Sequence, residues 1–245
     1  MKKIFLSICT AALTITGSLT LKAQTVDEII QKHYDAVGGV DNWKKINSVK
    51  LTATSNSGGV EVPITLAMLQ GKGFKVEFTF NGMTGYTFMT DKAGWNYSPF
   101  AGQTKPEAIP EEAIKEAQDA MDIQGPLFDY KTKGHKVTYL GKDDVEGTEC
   151  YKLKVVFPSG KEETIFIDTK TYYHIKSITK SKANGKEMEA SSAFGNFQKL
   201  PEGIVYPMTM ENGGNPLTIK TVEINKGIDE NYFKLPESKE PEIKK

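Results

Sequence analysis

Between Val60 and Phe80 apolar residues recur at every second position, first Val60, Val62, Ile64, Leu66 and Met68, then Phe74, Val76, Phe78 and Phe80. A period of two places each set on one face of an extended strand. The Gly71-Lys72-Gly73 turn between the sets makes them a hairpin. Nearer the start the period is helical. Thr25-Val26-Asp27-Glu28 has the form of a capping box, and Val26, Ile29, Ile30, Tyr34 and Val37 share one face before Gly38-Gly39 ends the helix. Strand patterns run from Val49 onward and through residues 86–91, 94–97, 136–140, 150–157, 163–168, 173–181, 186–197, 204–210 and 217–224. Pro158-Ser159-Gly160, Asn184-Gly185 and Asn212-Gly213-Gly214-Asn215-Pro216 supply the positive φ that tight hairpins need. One helical pattern interrupts the strands: Pro110 to Met121 puts Ala113, Ile114, Ala117, Ala120 and Met121 on one face.

This pattern implies a mainly β (α+β) chain: a single strongly curved antiparallel sheet of about nine to eleven strands, an incomplete β-barrel covered by amphipathic helices. Met1-Lys2-Lys3, the apolar stretch from Ile4 to Leu21 and Leu21-Lys22-Ala23 read as a secretory signal peptide, residues 1–23, cleaved after Ala23. The destination implied is the periplasm. Small polar residues such as Ser7, Thr10, Thr14 and Ser18 dilute the segment below what a membrane span needs. One domain is expected over residues 24–236, followed by a charged, disordered tail over 237–245.

Removing Lys2, Lys3 and Lys22 tips a chain of 31 basic and 31 acidic residues to a mildly acidic one, so no broad basic field offers itself to nucleic acid. Every basic residue is Lys, and a site that forks bidentately around a phosphate or carboxylate is not expected without Arg. Only Cys150 remains after cleavage, which rules out an internal disulfide.

His33, His135 and His174 lie in no metal-ligand spacing, so neither a metal nor a cofactor is expected. The sharpest enzyme arrangement available is a Cys150/His174 pair. Strand parity sets Cys150 apart from Tyr151, Leu153, Val155 and Phe157, as a half-exposed sheet residue beside Lys152 and Lys154, and catalysis is not expected.

Several short stretches, in order, resemble the LolA/LolB-like superfamily of outer-membrane lipoprotein-sorting proteins. They are Asp27-Glu28-Ile29-Ile30 with Gly38-Gly39 and Trp43, Asp91-Lys92-Ala93-Gly94-Trp95, Tyr139-Leu140-Gly141, Val145-Glu146-Gly147-Thr148, Ile167-Asp168-Thr169, Gly203-Ile204-Val205-Tyr206-Pro207, Glu223-Ile224-Asn225 and Asp229-Glu230-Asn231-Tyr232-Phe233. The resemblance implies a half-barrel closed by helices and a periplasmic carrier that holds the acyl chains of lipoproteins or other hydrophobic ligands in its concave face. It also implies a monomer whose partners are lipoprotein acyl chains or lipid and inner- or outer-membrane transport proteins. The best-known carriers hold a helical lid through an Arg on a barrel strand, a role no residue here can take. The alternative on the same fold is an envelope sensor or interaction domain that binds a membrane-protein partner. A continuous cavity favours the carrier, and a filled core with one exposed apolar patch favours the sensor.

Large, adaptable apolar residues mark the expected hydrophobic cavity: Met68, Phe74, Phe78, Phe80, Phe88, Trp95, Tyr97, Ile114, Met121, Met208 and Met210. Phe74, Val76, Phe78 and Phe80 are expected to face inward, with Lys75, Glu77 and Thr79 in water. The helix from Pro110 to Met121 is expected to cover that cavity.

Overall fold

Thirteen strands form one antiparallel sheet in the computed structural model, which describes residues 25–183 and 186–235. The expected signal peptide, the charged tail and the Asn184-Gly185 turn lie outside the described residues. The strands are β1 (Ser48–Ser57), β2 (Val60–Leu69), β3 (Gly73–Phe80), β4 (Met83–Thr90), β5 (Gly94–Tyr97), β6 (Glu107–Ala108), β7 (Lys136–Val145), β8 (Thr148–Val156), β9 (Glu162–Asp168), β10 (His174–Ala183), β11 (Lys186–Lys199), β12 (Val205–Asn212) and β13 (Asn215–Ile224). Their order in space is β6-β5-β4-β3-β2-β1-β13-β12-β11-β10-β9-β8-β7. Nearly every neighbour in space is therefore a neighbour in sequence. The exception is the seam between β1 and β13, where Val49 pairs with Ile224 and Ser55 with Leu217. The sheet does not close on itself, and the fold is an open half-barrel.

One side chain finishes the seam. Asn225, with a left-handed φ of 55°, accepts from the backbone N–H groups of Asn47 (2.8 Å) and Ser48 (3.1 Å) and donates to the Lys45 carbonyl at 2.8 Å.

Helix α1 (Val26–Ala36) begins on the expected capping box: the Glu28 N–H donates to Thr25 Oγ1 and the Thr25 N–H to the Glu28 carboxylate. Its stripe of Ile29, Ile30, Tyr34 and Val37 is buried against Tyr151, Leu153 and Val155 of β8 and Ile165 and Ile167 of β9. Gly38, at φ 110°, carries the chain away so closely over the β11–β12 turn that a Cβ there would lie 2.3 Å from the Gly203 carbonyl oxygen. The Val205 N–H donates to the Val37 carbonyl at 2.9 Å beside it. A short helix α2 (Val40–Lys44) follows, and its Trp43 packs with Ile46, Val49, Leu51 and Ile204 over the middle of the sheet. The face beneath both helices is the inner face.

The interrupting segment is not one helix. Helix α3 (Glu111–Glu116) stops at Ala117, and a 3₁₀ turn from Gln118 to Met121 replaces the second half. Three points hold it in place. The Gly71 N–H donates to the Met121 carbonyl at 2.9 Å, Lys161 pairs with Asp119 at 2.7 Å, and Lys133 pairs with Asp122 at 2.6 Å. Strand count also exceeds expectation. The edge strand β6 is too short to show a period, and β7 continues to Val145 through a bulge between Tyr139 and Lys142.

Candidate functional site

Directly opposed residues of an antiparallel pair share a face, so register assigns the faces strand by strand. Val49, Leu51 and Ala53 of β1 face Met68, Leu66 and Ile64 of β2. Those in turn face Phe74, Val76 and Phe78 of β3. In the other direction Leu217 faces Met210 of β12, and Met210 faces Phe194 of β11. All of these lie on the inner face, with Ile219 and Tyr206.

Within this wall the β1 residues are buried under Trp43 and Ile46, while Ile64, Leu66, Met68, Phe74, Val76, Phe78, Phe80, Phe194, Met208 and Met210 are only half-buried. Half-buried apolar side chains therefore form a trough on the inner face, over β2–β3 and over β11–β12, divided where Trp43 and Ile46 cover β1. Its side chains are large and, at the methionines, readily reshaped. Such a surface can hold an apolar chain through area alone, at about 25 cal/mol per Å².

Six of the eleven residues expected to line the cavity fall on this face: Met68, Phe74, Phe78, Phe80, Met208 and Met210. Ile114 and Met121 sit in the bridging segment and are buried, at 4% and 2% exposure. Phe88, Trp95 and Tyr97 belong elsewhere. Phe88 pairs with Lys75 on one side and Trp95 on the other, and Tyr97 pairs with Tyr86, which places all of them on the outer face. There they form a separate cluster with Tyr86, Leu69, Ile228, Tyr232 and Phe233.

The 3₁₀ turn from Glu230 to Phe233 covers that cluster as a strap. Phe233 lies so tightly on Gly73 that a Cβ there would approach its ring to 2.6 Å. Lys72 and Glu230 pair at the strap's edge. The strap also changes the surroundings of Lys75 and Glu77. They point outward as expected but are not free in water: they pair at 3.0 Å, and the Lys75 ammonium lies 5.0 Å from the Tyr232 ring centre.

The far end of the inner face is different. On β9, Glu163, Ile165 and Ile167 share a face, opposite Val155, Leu153 and Tyr151 of β8. Glu163 also faces Thr179 of β10, and Ile165 faces Ser177, which faces Ser192 of β11. The Ser192 hydroxyl donates to Asn212 Oδ1 at 2.7 Å. A polar patch thus interrupts the wall two residues along from the apolar row of Ile167, His174, Phe194 and Met210. The expected site did not include it. Burial raises the Glu163 carboxyl above its ordinary value, against the pull of Lys161 and a hydrogen bond to Ser177.

His33 and His174 meet near this patch. His174 is pushed down to about 3 by burial first and by His33 second, and its Nε2 lies 3.0 Å from the Lys176 carbonyl. Burial lowers His33 as well, and its Nδ1 contacts the Tyr172 carbonyl at 2.8 Å. Both are neutral at physiological pH.

Cys150 is not the half-exposed residue expected. It is fully buried on the outer face opposite Asp168, and its thiol is pushed up to about 11 by burial and then by Asp168, Asp144, Asp143 and Glu149. The sheet itself separates it from His174, which faces Ile167 on the inner side. That geometry provides no nucleophile–base contact. Two open recesses have charged and polar linings. One, of about 680 Å³, lies among Lys161, Glu162, Lys180 and Glu189, and the other, of about 460 Å³, lies among Gln70, Asp122, Lys133 and His135. No helix among the described residues is long and apolar enough to cross a membrane.

The half-barrel with helices on its inner face is the LolA-like fold. A crystal structure of a LolA superfamily protein from Nitrosomonas europaea matches it with a TM-score of 0.55 at 11% identity, over 84% of this chain and 96% of that one. A putative outer membrane lipoprotein-sorting protein domain from Vibrio parahaemolyticus aligns with a TM-score of 0.49 at 16% identity, over 84% and 94% of the two chains. No family model matches the sequence, and no curated protein matches it.

Proposed function

We propose that this chain is a periplasmic carrier or binding protein for lipoproteins or other acylated ligands, whose acyl chains lie in the inner trough. The observation that carries the proposal is the set of half-buried Ile, Leu, Met and Phe side chains of β2–β3 and β11–β12, all on the inner face of the sheet. Each CH₂ laid on such a wall contributes about 0.8 kcal/mol. A single long chain therefore gains enough to be retained. The sensor alternative calls for an exposed apolar patch, whereas the outer apolar cluster lies under Tyr232 and Phe233. Native mass spectrometry of protein recovered from its own periplasm tests the proposal, with co-purified acylated ligand expected on folded monomer. Folded protein that carries no lipid and binds no apolar fluorescent probe overturns it.

A further inference from the structure

We propose that Glu163, Ser177, Thr179 and Ser192 form a headgroup subsite at one end of the trough. It would take an amphiphile whose polar end donates hydrogen bonds and turn away one whose polar end is an anion. The proposal rests on the carrier reading. Its basis is register: Glu163 faces Thr179, and Ser177 faces Ser192, on the same face as buried Leu153, Val155, Ile165 and Ile167. An acid in phase with two fully buried isoleucines does not belong to an ordinary solvated strand.

The charges around it leave Glu163 without a cation. Among the described residues no ion pair reaches it. Lys161, the strongest attractive charge on it, is held by Asp119 at 2.7 Å and lies 3.8 Å from the Phe157 ring centre. His135 contacts the Pro126 carbonyl through Nδ1 at 2.9 Å, and His174 is neutral. Lys176 and Lys180 point to the outer face, paired in register with Phe166 and Glu162. Asp119 adds negative potential, and burial already raises the carboxyl. The patch therefore consists of acceptors and hydroxyls around one carboxyl that Ser177 hydrogen-bonds and that no cation pairs among the described residues.

Burial makes the charged form of such a carboxyl costly where it stands. A ligand N–H or O–H would recover that cost, and a ligand carboxylate or phosphate would raise it. The geometry suits one molecule bridging both regions. Glu163 and Met210 lie three strands apart, about 14 Å, and four residues apart along the strands, about 13 Å, or roughly 19 Å in all, so a headgroup at β9–β10 leaves the end of a long chain near Phe194 and Met210.

Displacement of an apolar fluorescent probe from the full chain at pH 7.5 tests this with four ligands of one chain length: monopalmitoylglycerol, hexadecylamine, palmitate and methyl palmitate. Wild type is expected to bind the glycerol ester and the amine about tenfold or more tighter than palmitate, the scale of one hydrogen bond to a charged group. The glycerol ester and the amine distinguish a neutral donor from a cation. In E163Q the disadvantage of palmitate should shrink to about threefold or less, with methyl palmitate unchanged. Ser192→Ala, one strand further from the covered core, should narrow the same gap by a smaller factor. Equal affinities for all four ligands, or an order that E163Q leaves intact, overturn the subsite while the carrier reading stands. Failure of every ligand to displace the probe overturns both.

Discussion

Gly38→Ala tests how α1 is seated. The added methyl would lie 2.3 Å from the Gly203 carbonyl oxygen and 2.7 Å from Ile204 Cα, both backbone atoms that no rotamer change can move aside. Gly39→Ala is the control, since it also imposes a positive φ, 88° against 110°, but its methyl meets nothing within 4 Å. Strain of about 1–3 kcal/mol is common to both variants. Gly38→Ala must in addition lift the end of α1 from the β11–β12 turn. That breaks the Val205 N–H bond to Val37, about 1 kcal/mol net, and opens the packing of Val37 and Tyr34 on the sheet. Loosening two buried side chains brings the extra cost to roughly 2–4 kcal/mol, on the scale of cavity formation in a core. A domain of this size loses about 2–4 °C per kcal/mol. Thermal unfolding followed by circular dichroism should therefore place Gly38→Ala about 5–15 °C below Gly39→Ala. Midpoints within about 2 °C of each other would refute the close approach as the seat of α1.

Two further outcomes follow from the faces of the sheet and from its histidines. Met210→Asp places a charge in the half-exposed trough and should weaken apolar-probe binding by about tenfold or more with little loss of stability. Trp95→Ala, on the outer face, should cost about 2–4 kcal/mol in denaturant unfolding and leave probe affinity unchanged; equal weakening by both would sink the face assignment. The folded-state pKa of His174 is depressed, so the group adds stability above its unfolded value near 6.5 and loses it as pH falls toward about 3. His174→Asn should flatten the fall in urea midpoint between pH 6.5 and 4, and an unchanged slope would show that its burial carries no proton linkage.

The period of two was enough to place Phe74, Val76, Phe78 and Phe80 together, because each lies on one uninterrupted strand. Closeness along the chain groups Phe88, Trp95 and Tyr97 with them, although the register is legible. Counting through the Asn81-Gly82 turn pairs Phe80 with Met83 and Lys75 with Phe88, which sends Phe88 outward. Nothing local shows that an outward aromatic cluster is acceptable. The strap that covers it begins some 140 residues later, at Ile228. Glu163 was similarly legible in principle, two positions from Ile165 and four from Ile167. An alternation that includes one acid usually marks a solvated face, and only pairing with Val155 identifies this one as inner. The helix from Pro110 to Met121 kept its buried Ile114 and Met121 but not its continuity, because contacts with Gly71 and Lys161 at either side set its path.

The seam between β1 and β13 has a consequence for how the chain reaches this shape. Every other ladder joins neighbours in sequence and can zip up hairpin by hairpin, at microsecond speed for each. The seam must instead bring Val49 to Ile224 and close a loop of most of the protein, an entropic cost taken before any contact across it repays it. Two meanders would then form early and wait to be joined, each with a bare edge at β1 or β13. Asn225, which fastens the last pair to Asn47 and Ser48, stands where that joining is completed. One ladder out of twelve is thus expected to set the rate of folding. Under the proposed export, a late seam would keep the two meanders separable until both have crossed.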